Sequence, residues 1–136
     1  MISCTVKSSA REEIIDITPQ IRDAVSRSGV TEGICFIYTP HTTAAITINE
    51  NADPDVITDI LKGLKHFQFE SVSFKHREGN SPAHVKSSLI GCSTFVFVQN
   101  KTLQLGTWQG IFFCEFDGPR TRKVQVKIIS QLNIGS

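Results

Sequence analysis

The spacing of apolar residues along the chain predicts mainly β-strands. Eight segments have strand length: Ile2–Val6, Glu13–Ile17, Ile34–Tyr38, Ala45–Asn49, Thr94–Val98, Thr102–Leu105, Ile111–Phe116 and Val124–Ile129. ICFIY, TFVFV and IFFCEF are apolar at both alternating positions, which predicts strands covered on both faces. KVQVKII alternates apolar and polar residues, as a half-exposed strand does. After TFVFV, the residues Gln99-Asn100-Lys101 predict a hairpin turn.

Three helices are predicted between these strands, each starting at a polar residue followed by proline. In Thr18-Pro19, Asp53-Pro54 and Ser81-Pro82 the polar side chain is expected to cap the helix, and proline takes its first position. The first helix is expected to end near Gly29 and the third at Gly91. The second carries an apolar stripe of helical spacing, made of Val56, Ile57, Ile60, Leu61 and Leu64. These elements predict an α+β fold with a mostly antiparallel, sandwich-like β core and about three helices.

Composition and charge exclude several classes of protein. With 136 residues, 40% hydrophobic and 20% charged, the chain is long enough to bury one core, so we expect a single domain over residues 1–136. The net charge of +1 gives no electrostatic field strong enough to recruit nucleic acid or an anionic membrane. No apolar run approaches the ~20 residues of a membrane span, and MISCTVKSSAREE lacks the apolar centre of a signal peptide. We therefore expect a cytoplasmic protein.

The four cysteines, Cys4, Cys35, Cys92 and Cys114, are widely spaced and include no C-x-x-C pair. This spacing does not form a zinc ribbon, and a chain of this length needs no disulfide scaffold. Cys35 and Cys114 lie in apolar segments, where a thiol behaves as a small hydrophobic side chain. No cysteine is expected in an exposed loop as a nucleophile.

The stretch TPHTTAAITINENADPDV surrounds one short apolar strand with polar residues. His41 lies in the connection before this strand, and on its own it is equally well explained as a loop histidine bonded to neighbouring hydroxyl groups. Asn49, Glu50 and Asn51 close the strand with hydrogen-bond donors and acceptors, just before a helix. We expect these residues to line a pocket, whereas Asp53 is better explained as the helix cap.

The segment KHREGNSPAHVKSSLIG, residues 75–91, contains two more histidines on either side of a loop. His84 is expected in the first turn of the third helix, where backbone N–H groups suit a phosphate. His76 and His84 form a weak metal signature, because they lack the i, i+4 spacing of helical zinc motifs. Metal binding and ordinary loop or cap histidines both stay open as interpretations.

The segment GTWQGIFFCEFDGPRTRK, residues 106–123, contributes a tryptophan, an acid and two arginines. Trp108, beside Gln109, is either a core side chain or the aromatic wall of a pocket. Glu115 shares the face of apolar residues in its strand, so it needs a cationic partner or stays protonated. Arg120 and Arg122 either supply that partner or bind a phosphate. A salt bridge at the rim of the pocket would account for the presence of one of these arginines more easily than for both.

Jointly, these residues indicate a pocket for a small anionic ligand, with a divalent metal such as Mg²⁺ or Zn²⁺ as a further candidate and no organic cofactor. No Ser-His-Asp or Cys-His pattern, P-loop or G-x-G-x-x-G motif is present. The residues alone therefore do not define a reaction.

Three segments resemble the YjbQ-like family, whose members are often described as secondary thiamine-phosphate synthase enzymes. They are PHTTAAITINENADPDV, EGNSPAHVKSSLIG and LGTWQGIFFCEFDGPRTRKV, and the similarity extends over nearly the whole chain. The resemblance implies a compact α+β domain that forms a homotrimer, with a pocket close to the subunit contacts. The family's polar motif positions fall on His41, Asn49, Glu50, Asn51, His76, Asn80, His84, Trp108, Gln109, Glu115 and Arg122, and Arg120 matches part of the family.

The same resemblance implies an enzyme that joins a hydroxymethylpyrimidine diphosphate to a thiazole phosphate and releases pyrophosphate. The catalytic candidates are His41, Glu50, His84, Glu115 and Arg122. The candidates for binding a small phosphorylated metabolite are Asn49, Asn51, Asn80, Trp108, Gln109 and Arg120, and those for a metal are His41, His76 and His84. A metal- or metabolite-binding homotrimer, with hydrolytic activity or none, is the alternative hypothesis, and a purely structural trimer is the third.

Overall fold

The computed structural model describes residues 1–131, which form eight strands and three helices. The strands are β1 (Ile2–Lys7), β2 (Glu13–Asp16), β3 (Gly33–Tyr38), β4 (Ala44–Glu50), β5 (Ser93–Gln99), β6 (Thr102–Leu103), β7 (Gln109–Glu115) and β8 (Thr121–Ser130). The helices are α1 (Thr18–Ser28), α2 (Pro54–His66) and α3 (Ser81–Ile90), and a 3-10 turn covers Phe69–Ser71. None of these helices is long and apolar enough to span a membrane. The predicted α+β class is confirmed.

The strands form two antiparallel sheets that pack against each other. The first has the strand order β1-β8-β3-β5-β6 and the second has the order β2-β7-β4. Buried side chains of both sheets and of α1 make one hydrophobic cluster between them. On the other face of the three-stranded sheet, Phe112 and Cys114 lie in a second cluster with Leu64 of α2 and Ala83 of α3. The molecule thus has three layers: a five-stranded sheet, a three-stranded sheet and two helices.

The cover of the apolar strands differs from the prediction in one respect. Residues 111–115 of β7 and Phe116, the position after the strand, are all buried, so two-sided cover is confirmed there. On β3 and β5 the outward-facing aromatic residues Phe36, Tyr38, Phe95 and Phe97 are 41%, 43%, 53% and 57% exposed. The prediction that both faces are covered is therefore wrong for β3 and β5 within one chain. We call these four side chains the aromatic face.

Several local predictions are confirmed by backbone geometry. Asn100 and Lys101 have φ angles of 51° and 65°, which fit a two-residue hairpin turn between β5 and β6. Gly29 ends α1 in the left-handed conformation, with φ of 69°. Asp53 caps α2, because its Oδ1 accepts a hydrogen bond from the Asp55 amide at 2.9 Å.

The predicted caps of the other two helices are wrong. Thr18 is the first residue of α1, and its hydroxyl accepts a hydrogen bond from the Ile111 amide at 2.8 Å, which joins α1 to β7. Ser81 is likewise the first residue of α3, and Asn80 occupies the cap position, where its side chain makes no capping hydrogen bond. The polar-residue–proline pair thus locates each helix start, while the role of the hydroxyl depends on distant neighbours.

The cysteines are free, and two of them are core residues as predicted. Burial raises the pKa of the Cys35 and Cys114 thiols to about 12, so both stay protonated. Cys92 is exposed between α3 and β5, which contradicts the expectation that no cysteine lies in an exposed connection.

Candidate functional site

A cavity of about 330 Å³ lies where three segments meet. Because Ala44 pairs with Glu115, the residues before β4 and those after β7 emerge at the same edge of the three-stranded sheet. The start of α3 closes the third side. The lining residues are Pro40, His41, Thr42, Thr43, Glu78, Asn80, His84, Asp117, Arg120 and Arg122. We call this space the His41 cavity.

A buried ion pair between Arg122 and Glu115 holds one wall of the His41 cavity. The two side chains are 2% and 0% exposed. Arg122 Nε donates to Glu115 Oε1 and Oε2 at 2.9 and 3.1 Å, and Nη2 donates to Oε2 as well. Nη2 also donates to the hydroxyl of Thr43 at 2.8 Å. Since these bonds use Nε and Nη2, Nη1 is the guanidinium nitrogen left for a ligand.

The carboxylate of Glu115 is occupied on both oxygens. Besides Arg122, the Ser8 hydroxyl donates to Oε1 at 2.7 Å and the Asp117 amide donates to Oε2 at 3.1 Å. Burial raises the pKa of Glu115, but hydrogen bonds from Arg122, Ser8 and the Asp117 amide outweigh it and lower the pKa below its ordinary value. An ionised, fully bonded carboxylate is poorly suited to proton transfer. This geometry makes Glu115 a positioning residue for Arg122, and a catalytic role for Glu115 stays a prediction.

His41 is held by the backbone of β8. The Lys123 amide donates a hydrogen bond to His41 Nε2 at 2.9 Å. A ring nitrogen that accepts a hydrogen bond carries no proton, so the neutral ring is protonated at Nδ1. Burial lowers the pKa of His41, the charge of Arg122 lowers it further, and the opposing charge of Glu115 does not offset them. His41 is thus a neutral hydrogen-bond donor.

We expect nitrogen NMR to find His41 neutral at pH 7, with its proton on Nδ1. Its pKa is lower in the folded than in the unfolded chain, so the stability that it contributes is fully present above about pH 6.5. That contribution is lost as the pH falls from there through the folded-state pKa, because the unfolded chain binds the proton more tightly. Long-range proton–nitrogen correlations distinguish the tautomers. A ring protonated at Nε2 would contradict the assignment.

Asp117 fixes two further cavity residues. Its Oδ2 accepts hydrogen bonds from Asn80 Nδ2 at 2.9 Å and from Arg120 Nη2 at 3.1 Å. Arg120 Nε also donates to the Asp117 carbonyl at 2.8 Å, although this arginine is half exposed. Asn80 Oδ1 is buried and has no hydrogen-bond partner among residues 1–131. Asp117 therefore orients a cation and an amide beside the ion pair.

The start of α3 offers a ligand fewer backbone donors than expected. His84 lies in the first turn as predicted, but the amides of Ala83 and His84 both donate to the Asn80 carbonyl, at 3.0 and 3.3 Å. Pro82 has no N–H, so Ser81 is the one early position whose amide is not used in this way. The helix start thus offers a ligand few backbone donors, and phosphate binding there stays a prediction.

The three histidines come close together without forming a three-ligand metal site. His41 and His84 line the His41 cavity, and the ring centroids of His76 and His84 are 5.3 Å apart in an edge-to-face arrangement. His41 Nε2 is already occupied by the Lys123 amide. Within the described range, no three His, Cys, Asp or Glu side chains are grouped to hold a metal ion. Metal binding stays a prediction.

Five predicted site residues lie at the opposite end of the three-stranded sheet: Asn49, Glu50, Asn51, Trp108 and Gln109. β4 begins at the His41 cavity and runs away from it, so Glu50 pairs with Gln109 while Ala44 pairs with Glu115. The two ends of β4 are about 20 Å apart, since a strand rises about 3.3 Å per residue. Within one chain, these five residues do not contact a ligand in the His41 cavity.

The polar side chains at this far end bond mainly to nearby backbone. Glu50 Oε2 accepts a hydrogen bond from the Asp53 amide at 3.3 Å, and Gln109 Oε1 accepts one from the Gly106 amide at 2.8 Å. Trp108 is 62% exposed, so it is neither a core side chain nor a wall of the cavity. In one chain Glu50 and Gln109 stabilise the connections that lead into α2 and into β7.

Sequence reasoning missed three residues that organise the cavity. Ser8 is 107 positions from Glu115, and β1 pairs with β8 so that Lys7 lies opposite Thr121 and places Ser8 beside the arginines. Thr43 and Asp117 lie in the connections before β4 and after β7. The spacing of Asp117, two residues after Glu115 and three before Arg120, is the signal that identifies it.

The fold and the cavity together define a class: three-layer α+β proteins with a small polar cavity rich in arginine and histidine. The family model for UPF0047 protein YjbQ-like matches residues 2–131. The chain belongs to this family.

Relatives agree with the assignment in sequence and in structure. UPF0047 protein MJ1081 from Methanocaldococcus jannaschii is 57% identical over 124 residues, covering 91% of this chain and 90% of the relative. UPF0047 protein YugU from Bacillus subtilis is 51% identical over 125 residues, covering 91% of this chain and 95% of the relative. An uncharacterized conserved protein of the family from Clostridium acetobutylicum has a TM-score of 0.92 at 53% identity, covering 95% of this chain and 100% of that one. A YbjQ-like protein of unknown function from Sulfolobus solfataricus has a TM-score of 0.91 at 37% identity, covering 96% of each.

Proposed function

We propose that the His41 cavity binds a phosphorylated small metabolite and uses it in a thiamine-phosphate-synthase-type transfer. The observation that carries this proposal is the convergence of Arg120, Arg122 and a neutral His41 on one cavity. Guanidinium groups form charge-assisted hydrogen bonds to phosphate oxygens, and the Nδ1–H of His41 adds a neutral donor. The type of reaction follows the resemblance noted in the sequence.

The transfer needs stabilisation of a leaving group more than it needs a base. The bond between the pyrimidine methylene carbon and the diphosphate oxygen breaks, and its electron pair leaves with pyrophosphate. The lone pair of the thiazole nitrogen forms the new carbon–nitrogen bond, so no proton is removed from the nucleophile. Arg120, Arg122 and His41 would donate hydrogen bonds to the pyrophosphate as its charge grows. The transfer therefore does not require Glu115 as a base, and both oxygens of its carboxylate already accept hydrogen bonds.

Binding without turnover is the second candidate function, and the size of the cavity favours it. A volume of about 330 Å³ lies at the low end for ligand pockets, enough for one phosphorylated half of the proposed reaction. Glu50, one of the catalytic candidates, lies at the far end of β4. A divalent metal held at His84 or His76 is compatible with either function. Less than about one-tenth of a metal ion per chain in untagged protein would count against a tight metal site.

Calorimetry with inorganic pyrophosphate, together with turnover of both phosphorylated halves with Mg²⁺, tests the proposal. Arg120→Met is expected to weaken pyrophosphate binding about 10-fold, because one charge-assisted hydrogen bond is lost. The matched control is Arg27→Met, which removes an exposed arginine outside the cavity and should change neither measurement. Binding without product would leave the second candidate, and the absence of binding would remove both.

We also propose a cytoplasmic homotrimer whose subunits meet at the aromatic face. Four outward aromatic side chains on one sheet, each more than two-fifths exposed, support a contact with another copy of the chain. The four free cysteines support the reducing cytoplasm as the compartment. Nucleic acid and membranes are not proposed as partners, since the net charge is only +1.

A further inference from the structure

A second cavity, of about 260 Å³, adjoins the His41 cavity across residues 76–82. Its walls include Val72 and Phe74 from the segment before α3, together with His76. Arg11 and Glu70 contribute charged groups to its lining. We call it the ring cavity.

The two cavities are neighbours because successive residues of one loop line different sides. Glu78 and Asn80 line the His41 cavity, whereas Gly79 and Ser81 line the ring cavity. His76 lines the ring cavity and His84 lines the His41 cavity, with their ring centroids 5.3 Å apart. The two cavities therefore lie on either side of this loop, and the pair of imidazoles stands at their common border.

The ring cavity differs from the His41 cavity in its chemistry. Phe74 and Val72 are 39% and 53% exposed. They lie in the irregular segment between the 3-10 turn and α3. Large apolar side chains grouped at a concave surface are typical of binding sites for flat organic groups. The His41 cavity has no aromatic wall of this kind, and its lining contains two arginines and two histidines beside the carboxylates of Glu78 and Asp117. An aromatic wall next to arginine hydrogen-bond donors suits a ligand with a ring at one end and a phosphate at the other.

A buried lysine fixes the wall of the ring cavity. Lys86 of α3 is 1% exposed, and its Nζ donates to Glu70 Oε1 at 3.0 Å and to Glu12 Oε2 at 2.7 Å. These ion pairs tie the turn at 69–71 and the connection before β2 to α3. The segment that carries Val72 and Phe74 thus begins at an anchored point. An ordered wall lowers the entropy cost of binding.

We infer that the ring cavity binds the heterocyclic part of a metabolite whose phosphate or diphosphate occupies the His41 cavity. The inference deepens the proposed function and rests on it for the phosphate end only. The ligand class is a flat heterocycle with a phosphate or diphosphate on a short arm. In the proposed transfer, the carbon that loses pyrophosphate would lie between the cavities, beside His76 and His84.

The test compares Phe74→Ala with Phe67→Ala by calorimetry. Phe67 belongs to the same segment and is 65% exposed, but it does not line the ring cavity, so it is the matched control. Phe74→Ala should weaken binding of an aminopyrimidine-methyl diphosphate about 10-fold, because it removes the aromatic wall. Its affinity for inorganic pyrophosphate should stay within about 2-fold, because that ion fills only the His41 cavity. Phe67→Ala should change neither affinity.

The binding measurements decide the inference in either direction. Unchanged binding of the aminopyrimidine diphosphate by Phe74→Ala overturns it, as does an equal loss for pyrophosphate. If pyrophosphate does not bind the wild-type protein, the proposed function fails, and the unphosphorylated pyrimidine alcohol then serves as the probe. Binding of that alcohol weakened by Phe74→Ala supports the ring cavity, and no binding overturns it. Should Phe74→Ala fail to fold, Phe74→Leu keeps most of the volume without the flat face and is held to the same comparison.

Discussion

Replacing Arg122 with methionine is expected to destabilise the fold by about 3–5 kcal/mol, because a buried carboxylate loses its cationic partner. Glu115 is 0% exposed, and neither Ser8 nor the Asp117 amide supplies a positive charge. The substitution also removes the hydrogen bond of 2.8 Å to Thr43. Urea unfolding at pH 7 measures the loss, and pyrophosphate binding should fall together with stability.

Two further variants separate burial from charge. Arg120→Met removes a half-exposed arginine paired with Asp117 and should cost only about 0–1 kcal/mol. The double change Glu115→Leu with Arg122→Met should recover most of the loss, because no charge is then left buried. If Arg122→Met costs no more than Arg120→Met, the ion pair does not stabilise the fold as described.

The pH dependence gives the same prediction an independent check. In the wild type the pKa of Glu115 lies below its ordinary value, so its stabilising contribution is present above about pH 4.3 and is lost as the pH falls through the folded-state pKa. Without Arg122, burial is opposed only by Ser8 and the Asp117 amide, and the pKa of Glu115 should rise. The difference in stability between wild type and Arg122→Met should therefore be largest near neutral pH and should narrow in acid.

Local features of the fold were predictable because their causes are local. The turn at Asn100-Lys101 and the end of α1 at Gly29 depend on conformations that few residues adopt. The stripe on α2 depends on helical periodicity alone, and its Leu64 is buried against the sheet as expected. By contrast, the hydroxyl of Thr18 bonds to a strand 93 positions away, and no local pattern encodes that contact.

The site was predictable in composition but not in arrangement. The stretch from His41 to Asn51 is continuous in sequence, yet β4 carries its two polar ends about 20 Å apart. The sequence also left open which arginine pairs with Glu115. The answer depends on the turn between β7 and β8, which directs Arg122 to Glu115 and Arg120 to Asp117. Pairings across strands thus decide which candidates share a ligand.

The aromatic face is a further feature that the sequence predicted only in part. The continuous apolar runs of β3 and β5 predict burial on both faces without stating which molecule covers the second face. In one chain the rings of Phe36 and Phe95 are 6.3 Å apart and those of Phe95 and Phe97 are 5.6 Å apart, so they form a continuous patch. A patch of this kind on an isolated subunit typically becomes a contact between subunits.

Phe95→Asp is therefore expected to raise the dissociation constant of the proposed homotrimer by more than about 1,000-fold. Burying a phenylalanine stabilises a contact by about 1.5–3 kcal/mol, and burying an unpaired carboxylate in its place costs several more. Light scattering after gel filtration should find the mass fall from that of three chains to that of one 15.1 kDa chain. Phe67→Asp, at a 65% exposed position outside the face, should leave the mass unchanged. A wild-type mass of one chain would remove the trimer, and a trimer that tolerates Phe95→Asp would place the contact elsewhere, since no subunit interface accepts an unpaired charge at its centre without loss.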